Sequence, residues 1–279
     1  MTAASTRRTR MAEARLDAAL AERGIARSRT HAARLITDGS VTVDGRTVIK
    51  PSARVGEDQV LALTAIDHYV SRAAHKLLAA LDAFAVPVTG RSALDVGAST
   101  GGFTQVLLER GAASVVALDV GHSQLDPFIA NNPAVTVIEG FNARALTVPT
   151  LDAAAGHAVR ASIVVADLSF ISLTTVLPAL VATVGIEADY ILLIKPQFEV
   201  GRTGVKEGIV HDPGLRADAI SDVLWAAWDL GVPTAGLISS PILGTAGNHE
   251  YVVWFSTLSG SNPTEWRERV LALSRPSAT

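Results

Sequence analysis

From about residue 70 onward, short apolar runs alternate with helical stretches, and no other feature of the chain restricts its fold so strongly. The runs are Ser92–Val96, Val115–Asp119, Val135–Glu139, Ile163–Asp167, Tyr190–Ile194, Thr234–Ser239 and Tyr251–Phe255. Alternation of this kind predicts an α/β architecture: a doubly wound, Rossmann-like sheet with ligands at the carboxyl ends of its strands. The 279 residues, 48% hydrophobic and 18% charged, suffice for one large domain or two smaller ones with a real core.

The first strand runs into a glycine-rich turn, "LDVGASTGGFT" at 94–104, which lets backbone approach a ligand closely. A phosphate-binding loop would end in Gly-Lys-Ser/Thr, and no lysine is present. A dinucleotide fingerprint wants glycine where Ser99 stands. A methyl-donor site fits better: Asp95 precedes the turn, and Asp119 ends the next strand, where it can hold ribose hydroxyls. S-adenosylmethionine carries a sulfonium cation and no phosphate, so carboxylates favour it and would repel a pyrophosphate. The competing reading is a glycine-rich turn without a ligand.

The acceptor follows by elimination. Enzymes that methylate amino groups of nucleic acid bases typically show Asp/Asn-Pro-Pro-aromatic after the fourth strand, where this chain has "ADLSF" (166–170). Methylation at C5 of pyrimidines commonly uses a cysteine nucleophile, and the chain has no cysteine. A hydroxyl acceptor remains, and it needs a base. Lys195, at the end of the apolar strand in "YILLIKPQFE", is the candidate.

The first 55 residues have a different charge balance. Of 24 Lys+Arg and 27 Asp+Glu overall, 11 basic and 5 acidic residues lie there, which leaves 13 against 22 elsewhere. Such a basic head on an acidic body is expected to meet a polyanion. Its sequence predicts two short helices, the second capped by Ser28 and ended by Gly39, then a hairpin with "VTV" and "TVI" flanking Asp44–Gly45. Arg15, Arg23, Arg27, Arg29 and Arg34 cluster on or near the helices and form a phosphate-binding surface. Without aromatic residues, the head is expected to read backbone shape rather than stack bases.

The stretches "RLD" (15–17), "RGIARSR" (23–29), "DGSVTVDG" (38–45) and "IKP" (49–51) closely resemble the alpha-L RNA-binding module. This resemblance implies that Arg15, Arg27, Arg29 and Lys50 contact RNA. From about 68 to 258 the chain resembles the TlyA family within the FtsJ-like ribose methyltransferases. The matching stretches are "YVSRAAHKL", "LDVGASTGGFT", "DVGHSQL", "NAR", "ADLSFISL", "KPQFE" and "GNHEY". The resemblance implies a catalytic tetrad of Lys76, Asp167, Lys195 and Glu250. It further implies S-adenosylmethionine lined by Gly97, Ser99, Gly101 and Phe103, with Asp119 on its ribose, Asn142 near its adenine and Asp167 beside it. Two departures stand out: Ala73 and Ala74 replace two family glycines, and Gly140–Phe141 replaces Arg-Thr before Asn142.

The combined expectation is an S-adenosylmethionine-dependent 2′-O-methyltransferase of ribosomal RNA, with cytidines of ribosomal subunits as targets. Its fold is a Rossmann-like doubly wound methyltransferase sheet with a small N-terminal α+β RNA-binding domain. The expected division is a disordered 1–14, the RNA-binding domain 15–62, a linker 63–71, the methyltransferase domain 72–260 and a tail 261–279. The competing functions are a membrane-active, haemolysin-like protein and a catalytically silent ribosome-binding protein. The apolar segment 162–186 could pass for a membrane span, but Asp167 and Pro178 interrupt it, so it reads as a buried strand followed by a helix. A cytoplasmic protein without stable membrane association is expected. The glycine-rich segment 200–214 is expected to be a mobile loop over the site.

Overall fold

The computed structural model describes residues 13–26, 28–37, 39–63, 68–201, 204–244 and 246–275. The chain divides into two compact units at His68/Tyr69.

In the N-terminal unit, helices Leu16–Glu22 and Arg29–Thr37 pack on a three-stranded antiparallel sheet around Leu16, Leu20, Ile36 and Val41. Ser28 caps the second helix as expected, its Oγ accepting from the His31 amide at 3.1 Å. The hairpin pairs Thr42 with Thr47 and Val43 with Arg46 around Asp44–Gly45. Its second strand is shorter than the expected "TVI", and Ile49 is 64% exposed beyond it. Two pairings were not foreseen: Leu61–Leu63 against Val41–Val43, and Ala14–Arg15 against Arg54–Val55. Ala14 therefore belongs to a strand, while the rest of the segment expected to be disordered, apart from Glu13, lies outside the described residues.

The C-terminal unit is built on seven strands: β1 (Ser92–Val96), β2 (Ser114–Leu118), β3 (Val135–Ile138), β4 (Ile163–Ala166), β5 (Asp189–Ile194), β6 (Thr234–Ser239) and β7 (Tyr251–Phe255). Their spatial order is β3-β2-β1-β4-β5-β7-β6, parallel throughout except for β7, which runs antiparallel to both neighbours. Both faces of the central strands are covered. Leu94, Val164 and Leu192 enter one hydrophobic cluster, while Ala93, Val165 and Ile191 enter a second. This two-sided burial explains why these strands read as unbroken apolar runs.

The apolar segment 162–186 resolves into β4, a polar loop, and a twelve-residue helix Leu173–Val184. Pro178 does not interrupt that helix but lies inside it. Among the described residues, no helix is long and apolar enough to cross a membrane. Residues 261–274, expected as part of a tail, instead form a 3-10 turn, Pro263–Trp266, and a helix, Arg267–Ser274. The guanidinium of buried Arg216 donates to the Ser274 carbonyl and anchors that helix. In the segment expected to be a mobile loop, Lys206 and Ile209 form an antiparallel bridge. Asn248 ties this segment down, accepting from the Val210 amide at 3.0 Å and donating to the Gly208 carbonyl at 2.7 Å.

Candidate active site

Reversal of strand order between β1 and β4 opens a cleft at the carboxyl edge of the sheet. Gly97 closes β1 with φ +83°, and a Cβ there would lie 3.0 Å from the Asp167 carbonyl oxygen. Only glycine lets the turn after β1 press this closely on the turn after β4. The resulting cavity of about 470 Å³ is of small-molecule size.

Gly97, Ser99, Asp119, Asn142 and Asp167 line that cavity. The Asp119 carboxylate is fixed by two backbone donors, Ser99 N–H at 2.8 Å and Gly121 N–H at 2.7 Å. Asn142 Oδ1 accepts from the Arg144 amide at 3.0 Å, which orients its side chain. The departure before Asn142 has a local cause. Gly140 has φ +68°, and a Cβ there would come within 2.5 Å of the His122 ring. Phe141 then lines the cavity wall.

Three expected cofactor residues do not line the cavity. Asp95 is fully buried in β1, on the face shared with Ala93, and its Oδ2 accepts from Thr104 Oγ at 2.6 Å. Burial pushes its carboxyl up to about 7, against the lowering effect of the Thr104 bond. Phe103 enters the helix-side core with Leu77 and Val106, and Gly101 backs onto Leu125 and Ile129. All three pack beneath the turn.

The four residues implied as a tetrad converge. Asp167 directly follows β4 and Lys195 directly follows β5. Because β7 is antiparallel and pairs Tyr251 with Ile194, Glu250 reaches the same edge from the opposite chain direction. Lys76 arrives on the first turn of helix Ala74–Phe84. Ala73 at its N-cap adopts an ordinary right-handed conformation, φ −56° and ψ −30°, so this backbone does not require the family glycine.

Lys76 Nζ donates to Glu250 Oε2 at 2.7 Å and to Asp167 Oδ2 at 3.2 Å. Lys195 Nζ pairs with Asp167 Oδ1 at 2.6 Å and donates to Ser169 Oγ at 2.9 Å. Burial alone would raise the Asp167 carboxyl, but the ammonium groups of Lys195 and Lys76 outweigh it and hold the group below the usual carboxylate range. Two ammoniums and two carboxylates make a neutral quartet, the condition under which ions tolerate burial.

The sequence reading missed two residues of the turn after β4. Ser169 and Phe170 line the cavity, and Phe170 is 91% exposed at φ +65° with its ring centroid 5.3 Å from that of Phe198. "ADLSF" signals a strand end, but nothing in it marks which side chains turn toward the cleft. The turn is anchored behind by Glu199, which accepts from Ser172 Oγ at 2.5 Å and from the Leu173 amide at 2.8 Å.

Of the expected RNA contacts, Arg15 and Arg29 lie together on the N-terminal unit. Both guanidiniums pair with Asp17 Oδ2, at 2.9 and 3.3 Å, with side chains 44% and 61% exposed. Lys50 is exposed. Arg27 and the side chain of Arg34 lie outside the described residues. Arg23, counted with the basic cluster, is occupied by the carbonyls of Gly56, Glu57 and Gln59.

Residues 69–257 match the FtsJ-like methyltransferase family, and residues 14–61 match the S4 domain. The chain is 51% identical to the 16S/23S rRNA (cytidine-2′-O)-methyltransferase TlyA of Mycobacterium tuberculosis, over 88% of this chain and 90% of that protein. It is 34% identical to the 23S rRNA (cytidine-2′-O)-methyltransferase TlyA of Campylobacter jejuni, over 67% and 70% of the respective chains. A solved structure described as a hemolysin from Streptococcus thermophilus superposes with a TM-score of 0.72 at 33% identity, covering 95% of this chain and 96% of that one. With the quartet, the β1/β4 cavity and these relatives in view, the chain belongs to the FtsJ-like methyltransferase family, in its TlyA branch with an N-terminal S4 domain.

Proposed function

We propose that the protein transfers a methyl group from S-adenosylmethionine to the 2′-hydroxyl of a cytidine in ribosomal RNA, acting on ribosomal subunits in the cytoplasm. The observation that carries this reading is the buried Lys76–Asp167–Lys195–Glu250 quartet at the cavity edge. It presents an amine to an acceptor hydroxyl with no thiol or Pro-Pro motif nearby.

The cavity suits the donor. The Ser99 amide is spent on Asp119 rather than offered to a phosphate, and the Asp119 carboxylate, held by backbone amides alone, gives the wall a negative character that favours a cation. Gly97, Ser99, Asp119 and Asn142 would hold the cofactor. Bound there, S-adenosylmethionine supplies an electrophilic methyl group on sulfonium sulfur. In its neutral form, Lys195 Nζ accepts the proton of the ribose hydroxyl, leaving the oxygen free to attack. Asp167 fixes Lys195, while Lys76 and Glu250 fix Asp167. Phe170 offers an exposed ring face on which the acceptor base can stack. Arg15, Arg27, Arg29 and Lys50 hold the RNA backbone and bring the target into register.

Incubation with labelled S-adenosylmethionine and ribosomal subunits, followed by mapping of the modified nucleotide, tests the assignment. Lys195→Ala should lose at least about a hundredfold in rate while calorimetry shows unchanged cofactor binding. Lys195→Arg should rescue little, since a guanidinium does not give up its proton. Turnover by Lys195→Arg near the wild-type level would exclude proton abstraction.

A further inference from the structure

Lys195 has a second tether besides its carboxylate. Its Nζ lies 2.6 Å from Asp167 Oδ1 and donates to Ser169 Oγ at 2.9 Å. A tetrahedral nitrogen held by one partner still swivels about that contact. Held by two partners on different residues, it has its remaining directions set. From this geometry we propose that Ser169 is a positioning residue, whose hydroxyl aims Lys195 Nζ at the acceptor hydroxyl.

Three further observations support this role. Ser169 is exposed on the cavity wall, yet its hydroxyl turns back to the lysine. The turn that carries it is fixed on both sides: the Asp167 amide donates to the Val96 carbonyl at 3.3 Å, and Glu199 caps the helix beginning at Leu173. Phe170, directly after Ser169, adopts a left-handed φ of +65°, a conformation that a bulky residue holds only when its surroundings impose it. The hydroxyl therefore sits on a rigid support, as an aiming group requires.

The inference rests on the reading of Lys195 as the group that engages the acceptor, and one experiment separates the two. Steady-state methylation of ribosomal subunits is measured for the wild type, Ser169→Ala, Ser169→Thr and Lys195→Ala, with S-adenosylmethionine affinity from calorimetry as the check on folding. Ser169→Ala should lose about tenfold in kcat, with KM for the subunits and cofactor affinity unchanged, because a misaimed base costs rate and not binding. Ser169→Thr keeps the hydroxyl and should recover most of that loss. If Ser169→Ala turns over like the wild type while Lys195→Ala is inactive, the positioning role is wrong and the base assignment stands. Equal loss in Ser169→Ala and Ser169→Thr would also overturn it, since the hydroxyl would then not be the active feature. Activity retained by Lys195→Ala would sink both.

Discussion

Two places in the molecule set carboxylates between cations, and they differ chiefly in access to water. At the sheet edge, the Lys76 and Glu250 side chains are 8% and 3% exposed, and the charges of the quartet cancel. On the N-terminal unit, a single Asp17 lies under Arg15 and Arg29, which remain 44% and 61% exposed, and one positive charge is left over. On the proposed function, the buried cluster serves the reaction, since a fixed and desolvated lysine can be aimed at one hydroxyl. On the same proposal, the exposed cluster serves capture, because its uncompensated charge faces solvent where a phosphate can reach it.

Removing one ion from the buried cluster should have the largest effect. Glu250→Ala leaves Lys76 short of a partner, so the C-terminal unit should lose about 3–5 kcal/mol in denaturant unfolding and methylation should fall below detection. Glu250→Gln should recover part of the stability through its hydrogen-bonding shape, but little activity. A Glu250→Ala protein as stable as the wild type would mean that the quartet is not energetically coupled.

The effect at Asp17 should be smaller and should follow pH. Hydrogen bonding from Arg15, reinforced by Arg29, holds the Asp17 carboxyl down at about 2, below its ordinary 3.8. A lowered carboxyl stabilises the fold above its unfolded value, and the contribution disappears as pH falls toward 2. Solvent around the two guanidiniums screens the pair, so about 1 kcal/mol should be lost between pH 4 and 2. Asp17→Asn should remove that component of the acid titration curve, and an unchanged curve would show that the pair is too weakly coupled to matter.

Smallest of all should be Arg29→Ala, which trims one exposed cation. RNA binding should weaken a few-fold at moderate salt, and the slope of log affinity against log salt should drop by about 1. Cofactor affinity should not change. An unaltered salt slope would take Arg29 out of contact with the RNA backbone.

The sheet was legible because burial on two faces writes itself into composition. Ser92–Val96, Thr234–Ser239 and Tyr251–Phe255 match their observed bounds, three others differ by one residue at one end, and the expected Val115–Asp119 is shifted by one residue at both ends to Ser114–Leu118. Short strands paired only at an edge, such as Ala14–Arg15 and Leu61–Leu63, have too few residues to show a period. At the site, Lys76, Asp167, Lys195 and Glu250 came from the family resemblance, and only Lys195 stood out from its position alone. Side-chain direction at the turns was the missing information. Asp95 and Phe103 lie in motif positions but point into the core, whereas Ser169 and Phe170 carry no motif signal and face the cavity.

The antiparallel insertion of β7 also has a consequence in time. Lys76 and Glu250 meet although 174 residues separate them along the chain. As the polypeptide is made, the RNA-binding unit and the glycine turn are synthesised long before the acid that completes the quartet. A chain stopped short of residue 250 would carry the whole S4 domain and lack one acid of the quartet. On the proposed function, synthesis itself therefore orders the two capacities, with recognition available first and chemistry only after the penultimate strand position has been filled from the far end of the sequence.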